Sequence, residues 1–186
     1  MITSAERVIE VNNASPQESA NRAYGLAEGA SNTKSTNGAS VPSTQSSVVL
    51  RVATLHDLAS LQHIEQTCFT TDRLSKSRFK FYIDAQHAEL IVAEREPSTS
   101  SSNLDKNKPS VNSIVGYGLL LLRRGTQLTR LYSIAVLPEA RGLGVAEKLI
   151  NSLGERALLR GKRFMRLEVA VGNAGAIALY KKLGFS

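Results

Sequence analysis

The sequence predicts a mixed α/β layered domain, and three observations lead to this prediction. Segments rich in β-branched and apolar residues alternate along residues 48–186 with segments whose apolar residues repeat at helical spacing. The predicted order of elements is β-α-α-β-β-β-α-β-α, which is typical of strands and helices packed in layers. The chain has 186 residues, which is room for one domain with extensions.

The first part of the domain is predicted to hold one strand and two helices. Residues 47–52, SVVLRV, favour a short strand because β-branched residues are enriched in strands. Apolar residues at helical spacing predict a helix over residues 57–69. These residues are Leu58, Leu61, Ile64 and Cys68. Asp72 is a candidate N-cap for the second helix.

The second part of the domain alternates strands with helices. Residues 88–93 and 114–122 are predicted strands on either side of a polar segment, so we expect them to form an antiparallel pair. The remaining predicted elements are strands over residues 128–137 and 164–171 and helices over residues 145–159 and 174–183.

Two segments are too polar to pack into this domain. Residues 1–47 are predicted to be a disordered N-terminal tail, because they carry too few large apolar side chains to offset the entropy of ordering them. Residues 96–113, with two prolines and no apolar cluster, are predicted to form a long flexible loop. The predicted folded domain is therefore residues 48–186.

The charge and the aromatic content narrow the classes of function. Residues 1–48 hold three basic and four acidic residues, whereas the rest hold 20 basic and 12 acidic residues, so the net charge of +7 comes from the folded part. This charge favours an anionic cofactor, an acidic partner or simple solubility. Aromatic residues make up 5% of the chain, which argues against nucleic-acid binding, since that needs aromatics interleaved with basic residues.

Further features argue against other classes. No apolar run approaches the roughly 20 residues of a membrane span, and residues 1–16 lack the apolar core of a secretory signal. Cys68 is the only cysteine, so no internal disulfide can form, and its place on the apolar stripe of the first helix favours a core position over a nucleophile. His56, His63 and His87 lack metal-ligand spacing, and we expect no metal site. These features predict a cytoplasmic protein.

The most informative feature is a strand-to-helix junction at residues 136–146, VLPEARGLGVA. Gly142 and Gly144 lack a Cβ atom, so backbone N–H groups there can approach a ligand closely. The helix start adds unpaired N–H donors beside Arg141, which suits a phosphate or pyrophosphate, although such glycines also occur for steric reasons alone. A Walker loop needs Gly-Lys-Ser/Thr, and the dinucleotide fingerprint needs a third glycine near the first strand; neither is present.

Two spaced motifs resemble those of a known family. Residues 141–146, RGLGVA, fit the pattern Arg/Gln-x-x-Gly-x-Gly/Ala, and residues 167–185, LEVAVGNAGAIALYKKLGF, match a second signature. In this order they resemble GNAT-superfamily N-acetyltransferases, and the second is particularly similar to bacterial N-terminal-alanine acetyltransferases that modify a ribosomal protein. The resemblance implies a mixed, mostly antiparallel central sheet with helices on both faces. It also implies acetyl transfer from acetyl-CoA to an amine, with a protein N-terminus as the leading acceptor.

The resemblance further implies which residues hold acetyl-CoA. The strand before the turn would bind the pantetheine arm through its backbone, and a backbone N–H there can polarise the thioester carbonyl. The strands that carry Ile134 and Val169 would splay apart to admit the arm. The implied cofactor-binding residues are Ile134, Ala135, Val136, Arg141, Gly142, Leu143, Gly144, Val145, Ala146, Glu147 and Asn173.

Glu168 and Tyr180 are the implied catalytic residues. By resemblance, Tyr180 protonates the departing thiolate, and Glu168 takes the proton of the incoming ammonium, either directly or through water. The residues alone also allow Tyr180 to pack the last helix on the sheet with Asn173 as the N-cap, and Glu168 to face solvent. The clusters at Arg123-Arg124 and residues 160–166 predict a solvated face, or contacts to the cofactor's 3′-phosphate or to an acidic substrate.

The sequence also departs from the family. It stops at Ser186, where relatives continue with a strand or hairpin that completes the sheet. We therefore expect a sheet that lacks the usual last strands, with the edge beside Glu168 exposed or covered by a partner chain. A non-catalytic CoA-binding or regulatory module, a fragment, and a small-molecule amine acetyltransferase are the alternatives to an N-terminal acetyltransferase.

Overall fold

A computed structural model describes residues 7–12, 47–96 and 114–186, with the backbone alone for residues 7–12. Most of the predicted tail and of the predicted flexible loop therefore lies outside the described residues, namely residues 1–6, 13–46 and 97–113.

The described residues form a six-stranded sheet covered by four helices. The strands are β1 (Arg7–Asn12), β2 (Val48–Val52), β3 (Ala88–Arg95), β4 (Ile114–Leu122), β5 (Leu128–Val136) and β6 (Phe164–Val169). The helices are α1 (Leu58–Cys68), α2 (Lys76–Asp84), α3 (Val145–Leu159) and α4 (Ala174–Lys182), with 3-10 turns at Leu55–Asp57 and Pro138–Ala140. Apart from β1, this is the predicted order of elements. None of these helices combines the length and the apolar character that a membrane crossing requires.

The sheet has the strand order β1-β6-β5-β4-β3-β2. Neighbouring strands are antiparallel except for β5 and β6, which are parallel and are connected through α3. The predicted mixed, mostly antiparallel sheet is thus confirmed.

Strand β1 differs from the prediction in two respects. It lies within the segment that we predicted to be disordered, and it pairs with β6 from Arg7 opposite Val169 to Asn12 opposite Phe164. The edge of β6 that we expected to be exposed, or covered by a partner chain, is therefore paired with this chain's own N-terminal segment.

The start of α2 also differs from the prediction. Ser75, not Asp72, is the N-cap, and its hydroxyl accepts a hydrogen bond from the backbone N–H of Arg78 at 3.3 Å. Asp72 lies earlier in the connection, with a φ of 53°, a left-handed conformation that Asp tolerates better than most residues.

Two apolar cores lie on opposite faces of the sheet, so the prediction of helices on both faces is confirmed. The core under α1 and α2 includes Leu61, Ile64, Phe79, Tyr117 and Leu119. The core under α3 and α4 includes Leu149, Leu153, Leu167, Tyr180 and Phe185. Helix α3 lies so close to β4 that a Cβ atom on Gly118 would come within 2.8 Å of Leu153 Cδ1.

A β-bulge in β5 changes which side chains face each core. Leu119 lies opposite Ser133 and Leu120 lies opposite Leu131, so Tyr132 has no opposite residue in β4. Leu131 and Ile134 both pack towards α3 and α4, whereas Tyr132 packs towards α1 and α2. The bulge therefore reverses the alternation of β5 just before the predicted cofactor strand.

Candidate active site

The predicted phosphate turn connects β5 to α3. Gly142 and Gly144 adopt φ angles of 76° and 73°, the left-handed region that favours glycine. A Cβ atom at either position would meet no heavy atom within 4 Å, so conformation rather than crowding requires glycine here. The backbone of the turn is consequently open to a ligand.

The N-terminus of α3 presents donors towards this turn. Helical hydrogen bonding starts where the N–H of Lys148 donates to the carbonyl oxygen of Gly144 at 3.0 Å. The N–H groups of Val145, Ala146 and Glu147 precede that bond, so the helix itself leaves them without carbonyl partners. With the dipole of a 15-residue helix behind them, these groups suit an anionic ligand.

Two of the predicted cofactor residues already use their side chains. The Arg141 Nε–H donates to the carbonyl oxygen of Val136 at 3.2 Å, which folds the side chain back onto β5. The Glu147 carboxylate accepts from Lys182 Nζ at 2.8 Å, which ties α3 to α4. Glu147 can therefore contribute its backbone N–H to a phosphate, whereas its carboxylate would repel one.

Strands β5 and β6 separate beside the turn. Their parallel ladder runs from Leu128 opposite Phe164 to Leu131 opposite Leu167 and stops there. Strand β5 continues to Val136 and β6 to Val169, with no pair between them in this stretch of the described residues. Ile134, Ala135 and Val136 thus lie along an edge of β5 that faces a gap, as the predicted splay requires.

Glu168 lies at the start of that gap, held between two guanidinium groups. Its Oε2 atom is 2.6 Å from Arg130 Nη2, and its Oε1 atom is 3.0 Å from Arg166 Nη2. The side chain is 14% exposed, so a solvent-facing Glu168 is not what the structure shows. Both carboxylate oxygens of Glu168 are thus engaged with arginine side chains.

Tyr180 lies on the other face of the sheet. It is 7% exposed and packs in the core with Leu167 and with the ring of Phe185, whose centroid is 5.6 Å away. Glu168 follows Leu167 in β6, so its side chain points to the opposite face. Burial raises the pKa of Tyr180, and its hydroxyl makes no hydrogen bond to another described residue. The sheet thus separates the two predicted catalytic residues.

Asn173 caps α4. Its Oδ1 atom accepts from the backbone N–H of Ala176 at 3.1 Å, so the capping interpretation of this residue is confirmed. A contact between Asn173 and the cofactor remains a prediction.

A buried polar network near the gap was not predicted from the sequence. Tyr117 donates its hydroxyl proton to Glu65, and Ser133 Oγ lies 2.7 Å from the same hydroxyl. Glu65 also accepts the backbone N–H of Leu74 at 2.8 Å. One feature of the sequence could have indicated this network: Glu65 directly follows Ile64, which lies on the apolar stripe of α1. A buried carboxylate at such a position needs a hydrogen-bond partner.

The lone cysteine packs against the core under α1 and α2, as predicted, and Arg123, Arg124 and Arg160 of the basic clusters are exposed, as a solvated face requires. Cys68 is half-buried, with Sγ 3.5 Å from the carbonyl oxygen of Val136, and burial raises the pKa of its thiol. Lys162 Nζ donates to the carbonyl oxygens of Arg123 and Thr126, which places the two basic clusters together at the far end of α3. That end lies about 22 Å from the turn, so these residues do not line the pyrophosphate site. No group of three metal-ligating side chains occurs among the described residues.

Several known proteins are similar to this chain. A Bacillus subtilis protein named as a putative [ribosomal protein bS18]-alanine N-acetyltransferase is 28% identical over 131 residues, which is 70% of this chain and 75% of that protein. An uncharacterized N-acetyltransferase of Methanocaldococcus jannaschii, MJ1207, is 44% identical over 59 residues. That match covers 32% of this chain and spans only 26% of the relative.

A solved structure has the same fold. The ribosomal-protein-S18-alanine N-acetyltransferase from Escherichia coli superposes with a TM-score of 0.59 at 22% identity, over 75% of this chain and 78% of that chain. The profile of the Acetyltransferase (GNAT) family matches residues 58–185, which include the turn, the gap and both predicted catalytic residues. The chain belongs to the Acetyltransferase (GNAT) family.

Proposed function

We propose that this chain transfers the acetyl group of acetyl-CoA to a primary amine, with a protein N-terminal α-amine as the leading acceptor. One observation carries the proposal: the open turn at Gly142 and Gly144 adjoins a strand edge that separates from β6. A site for phosphates beside a gap lined by backbone suits a cofactor with a pyrophosphate and an extended arm. The named Bacillus subtilis relative supports the choice of acceptor.

The proposed reaction proceeds by direct attack on the thioester. The acceptor ammonium loses a proton to Glu168, directly or through water, and its nitrogen attacks the carbonyl carbon. A backbone N–H of residues 134–136 stabilises the oxyanion that forms. The C–S bond then breaks, and the leaving thiolate takes the hydroxyl proton of Tyr180. The extra proton of the new amide nitrogen returns to the tyrosinate through solvent, while Glu168 releases its proton to solvent.

The acid role of Tyr180 is supported by its surroundings. Its ordinary pKa of about 10 already keeps the hydroxyl protonated and able to donate at neutral pH, and burial raises that pKa further. Its place on the α3 and α4 face, opposite the face of Glu168, lets the acceptor and the leaving thiol occupy different sides of the gap.

A non-catalytic CoA-binding module is the second candidate. The observation that favours it is the pairing of both Glu168 oxygens with guanidinium groups, because such ion pairs also occur where a carboxylate has a structural role alone. A protein that only binds the cofactor needs no base at this position.

Two measurements separate these functions. Thermal unfolding with saturating acetyl-CoA should show stabilisation, about 2.7 kcal/mol at a hundredfold excess over Kd, because the ligand binds the folded state. No stabilisation would remove both candidates. Thiol release with an N-terminal alanine peptide then identifies an enzyme, and the same peptide with a blocked α-amine is the control. A polyamine tests whether the protein acetylates small-molecule amines instead. Binding without release from any amine would favour the module.

A further inference from the structure

The backbone of β6 at Glu168 is paired on one side alone. The ladder with β5 ends at Leu131 opposite Leu167, one residue before Glu168. On its other side, β6 stays paired with β1 to its end, and Val8 lies opposite Glu168. Among the described strands, β1 is therefore the one that pairs with β6 at this residue.

The β5 side of Glu168 has to stay open. The gap between β5 and β6 begins there, and a ladder that continued past Leu131 would close the space for the cofactor arm. The ion pairs with Arg130 and Arg166 do not replace a ladder, because these side chains are 43% and 30% exposed and exposed ion pairs contribute little. The backbone position of Glu168 thus depends on the pairing with β1.

The sequences of both strands specify the register of β1 on β6. Ile9 and Val11 each lie opposite a residue of the core under α3 and α4. Glu10 lies opposite Arg166, and opposite charges on directly opposite residues attract each other. A slip by one residue would place Glu10 opposite a core residue, so the sequence opposes such a slip.

Glu10 also balances the charges beside Glu168. Arg130, Arg166 and Glu10 lie in one row across β5, β6 and β1. The two arginines are directly opposite each other, which is unfavourable for like charges, and an acidic residue on the other side of Arg166 offsets this repulsion. Strand β1 therefore adds an acidic residue to the row next to the proposed base.

Strand β1 can be disturbed without disturbing the cores. It contacts β6, and no other described element contacts it to a similar extent. It is an edge strand, separated from β2 by residues 13–46, which lie outside the described residues. Loss of β1 should consequently remove the pairing at Glu168 and leave the packing of the four helices in place.

We propose that β1 is a positioning element of the active site: its pairing with β6 holds Glu168 in place for the acceptor amine, while β5 leaves β6 to admit the cofactor arm. This inference rests on the proposed function and adds a requirement to the same site. The pairing serves the acceptor step and not the binding of acetyl-CoA, because the turn at Gly142 and Gly144 belongs to other elements.

The test breaks the β1–β6 ladder in the full chain. The double variant Val8→Pro, Ile9→Pro removes two backbone N–H donors, and one of two adjacent residues in an antiparallel strand bonds to its partner strand. Val48→Pro, Val49→Pro is the matched control, since it makes the same change in β2, the strand at the opposite edge of the sheet.

We expect the two double variants to differ in one kinetic quantity. With saturating acetyl-CoA, kcat/KM for an N-terminal alanine peptide should fall at least about tenfold in the β1 variant, because a small displacement of a base is costly. The β2 variant should retain the wild-type kcat/KM. Both should keep the wild-type Kd for acetyl-CoA, which also shows that they are folded.

Substitutions of Glu10 give a milder test that leaves the backbone intact. Glu10→Lys places a third positive charge in the row and should lower kcat/KM for the peptide more than Glu10→Gln does. The Kd for acetyl-CoA should again stay unchanged. Equal kcat/KM for both variants and the wild type would remove Glu10 from the proposal.

Hydrogen exchange of the backbone amides of residues 164–169 tests the pairing without reference to activity. We expect faster exchange in the β1 variant and wild-type exchange in the β2 variant, because amides that lose their ladder partners exchange more readily. Exchange that stayed at the wild-type rate in the β1 variant would overturn the inference.

The two readouts separate this inference from the proposed function. A β1 variant with wild-type kcat/KM, or an equal loss in the β2 variant, would overturn the inference and leave the activity standing. If the wild type releases thiol with no amine, the proposed function fails. Faster exchange confined to the β1 variant would then still uphold β1 as the strand that fixes β6 at Glu168.

Discussion

The hydroxyl of Tyr117 donates to the carboxylate of Glu65 between α1 and the sheet. Glu65 is 2% exposed, and its other oxygen holds the backbone N–H of Leu74 in the connection to α2. Burial and the hydrogen bond to Glu65 raise the pKa of Tyr117, so the hydroxyl stays a donor. The hydroxyl of Tyr117 has one proton, which it donates to Glu65. Ser133 is therefore the donor in its hydrogen bond with the oxygen of Tyr117. The network thus links the α1–α2 connection to β5 immediately before Ile134.

Removing the tyrosine hydroxyl should destabilise the fold. Tyr117→Phe leaves the buried carboxylate of Glu65 with one partner fewer, and we expect the free energy of unfolding in urea to fall by about 1–3 kcal/mol. Tyr132→Phe is the matched control, because this half-buried tyrosine lies on the same face and its hydroxyl makes no hydrogen bond to a described residue. A loss of stability no larger than that of the control would contradict a structural role for this network.

The left-handed turn should be sensitive to a single methyl group. Gly144→Ala places a Cβ atom at a φ of 73°, which costs about 1–2 kcal/mol, and relaxation of that strain moves the N–H groups at the start of α3. We expect the Kd for acetyl-CoA, measured by calorimetry, to rise about tenfold or more.

A second glycine provides the control for strain. Gly125, in the β4–β5 hairpin, has a φ of 69°, and a Cβ atom there would likewise meet no heavy atom within 4 Å, but this residue lies away from the turn. Gly125→Ala should lower stability by a similar amount and leave acetyl-CoA affinity unchanged. Equal weakening of acetyl-CoA binding by both variants would show that general destabilisation, not the turn, is responsible.

The features that could be predicted from the sequence depend on residues that are close together in the chain. The periodicity of residues 145–159 and the glycines at 142 and 144 predicted α3 and its turn, because helix repeat and left-handed backbone are encoded within a few residues. The partners of Glu168 were not predictable in this way: Arg130 lies 38 residues earlier and meets it only through the β5–β6 ladder. Strand β1 was missed for the same reason, since its pairing with β6 joins the two ends of the chain.

The ion pair between Arg51 and Asp57 should contribute to stability in a pH-dependent manner. The Arg51 guanidinium contacts both carboxylate oxygens, at 2.8 and 2.9 Å, and the backbone N–H of Thr54 donates at 2.7 Å. Burial alone would raise the pKa of Asp57, but the hydrogen bonds from Arg51 and Thr54 outweigh burial and lower it. The folded state therefore favours the ionised carboxylate.

Asp57→Asn should lower the free energy of unfolding by about 1–3 kcal/mol at pH 7. A lowered pKa contributes stability above the unfolded-state value of about 3.9, and that contribution is lost as the pH falls through the folded-state value. The difference between wild type and variant, measured by urea unfolding at several pH values, should accordingly shrink below about pH 4. Asp84→Asn, at an exposed carboxylate, serves as the control. A difference that widened on acidification would contradict the role of this pair.

Tyr180→Phe should separate catalysis from packing. The ring contacts to Phe185 remain, and the lost hydroxyl makes no hydrogen bond to a described residue, so unfolding free energy should change by no more than about 1 kcal/mol. If the hydroxyl protonates the leaving thiolate, kcat should fall about a hundredfold or more while the affinity for acetyl-CoA is retained. Because burial raises the pKa of Tyr180, its acid form persists beyond about pH 10, and the wild-type rate should show no alkaline decline from this group below that pH. Full turnover by a stable Tyr180→Phe variant would leave Tyr180 with a packing role alone.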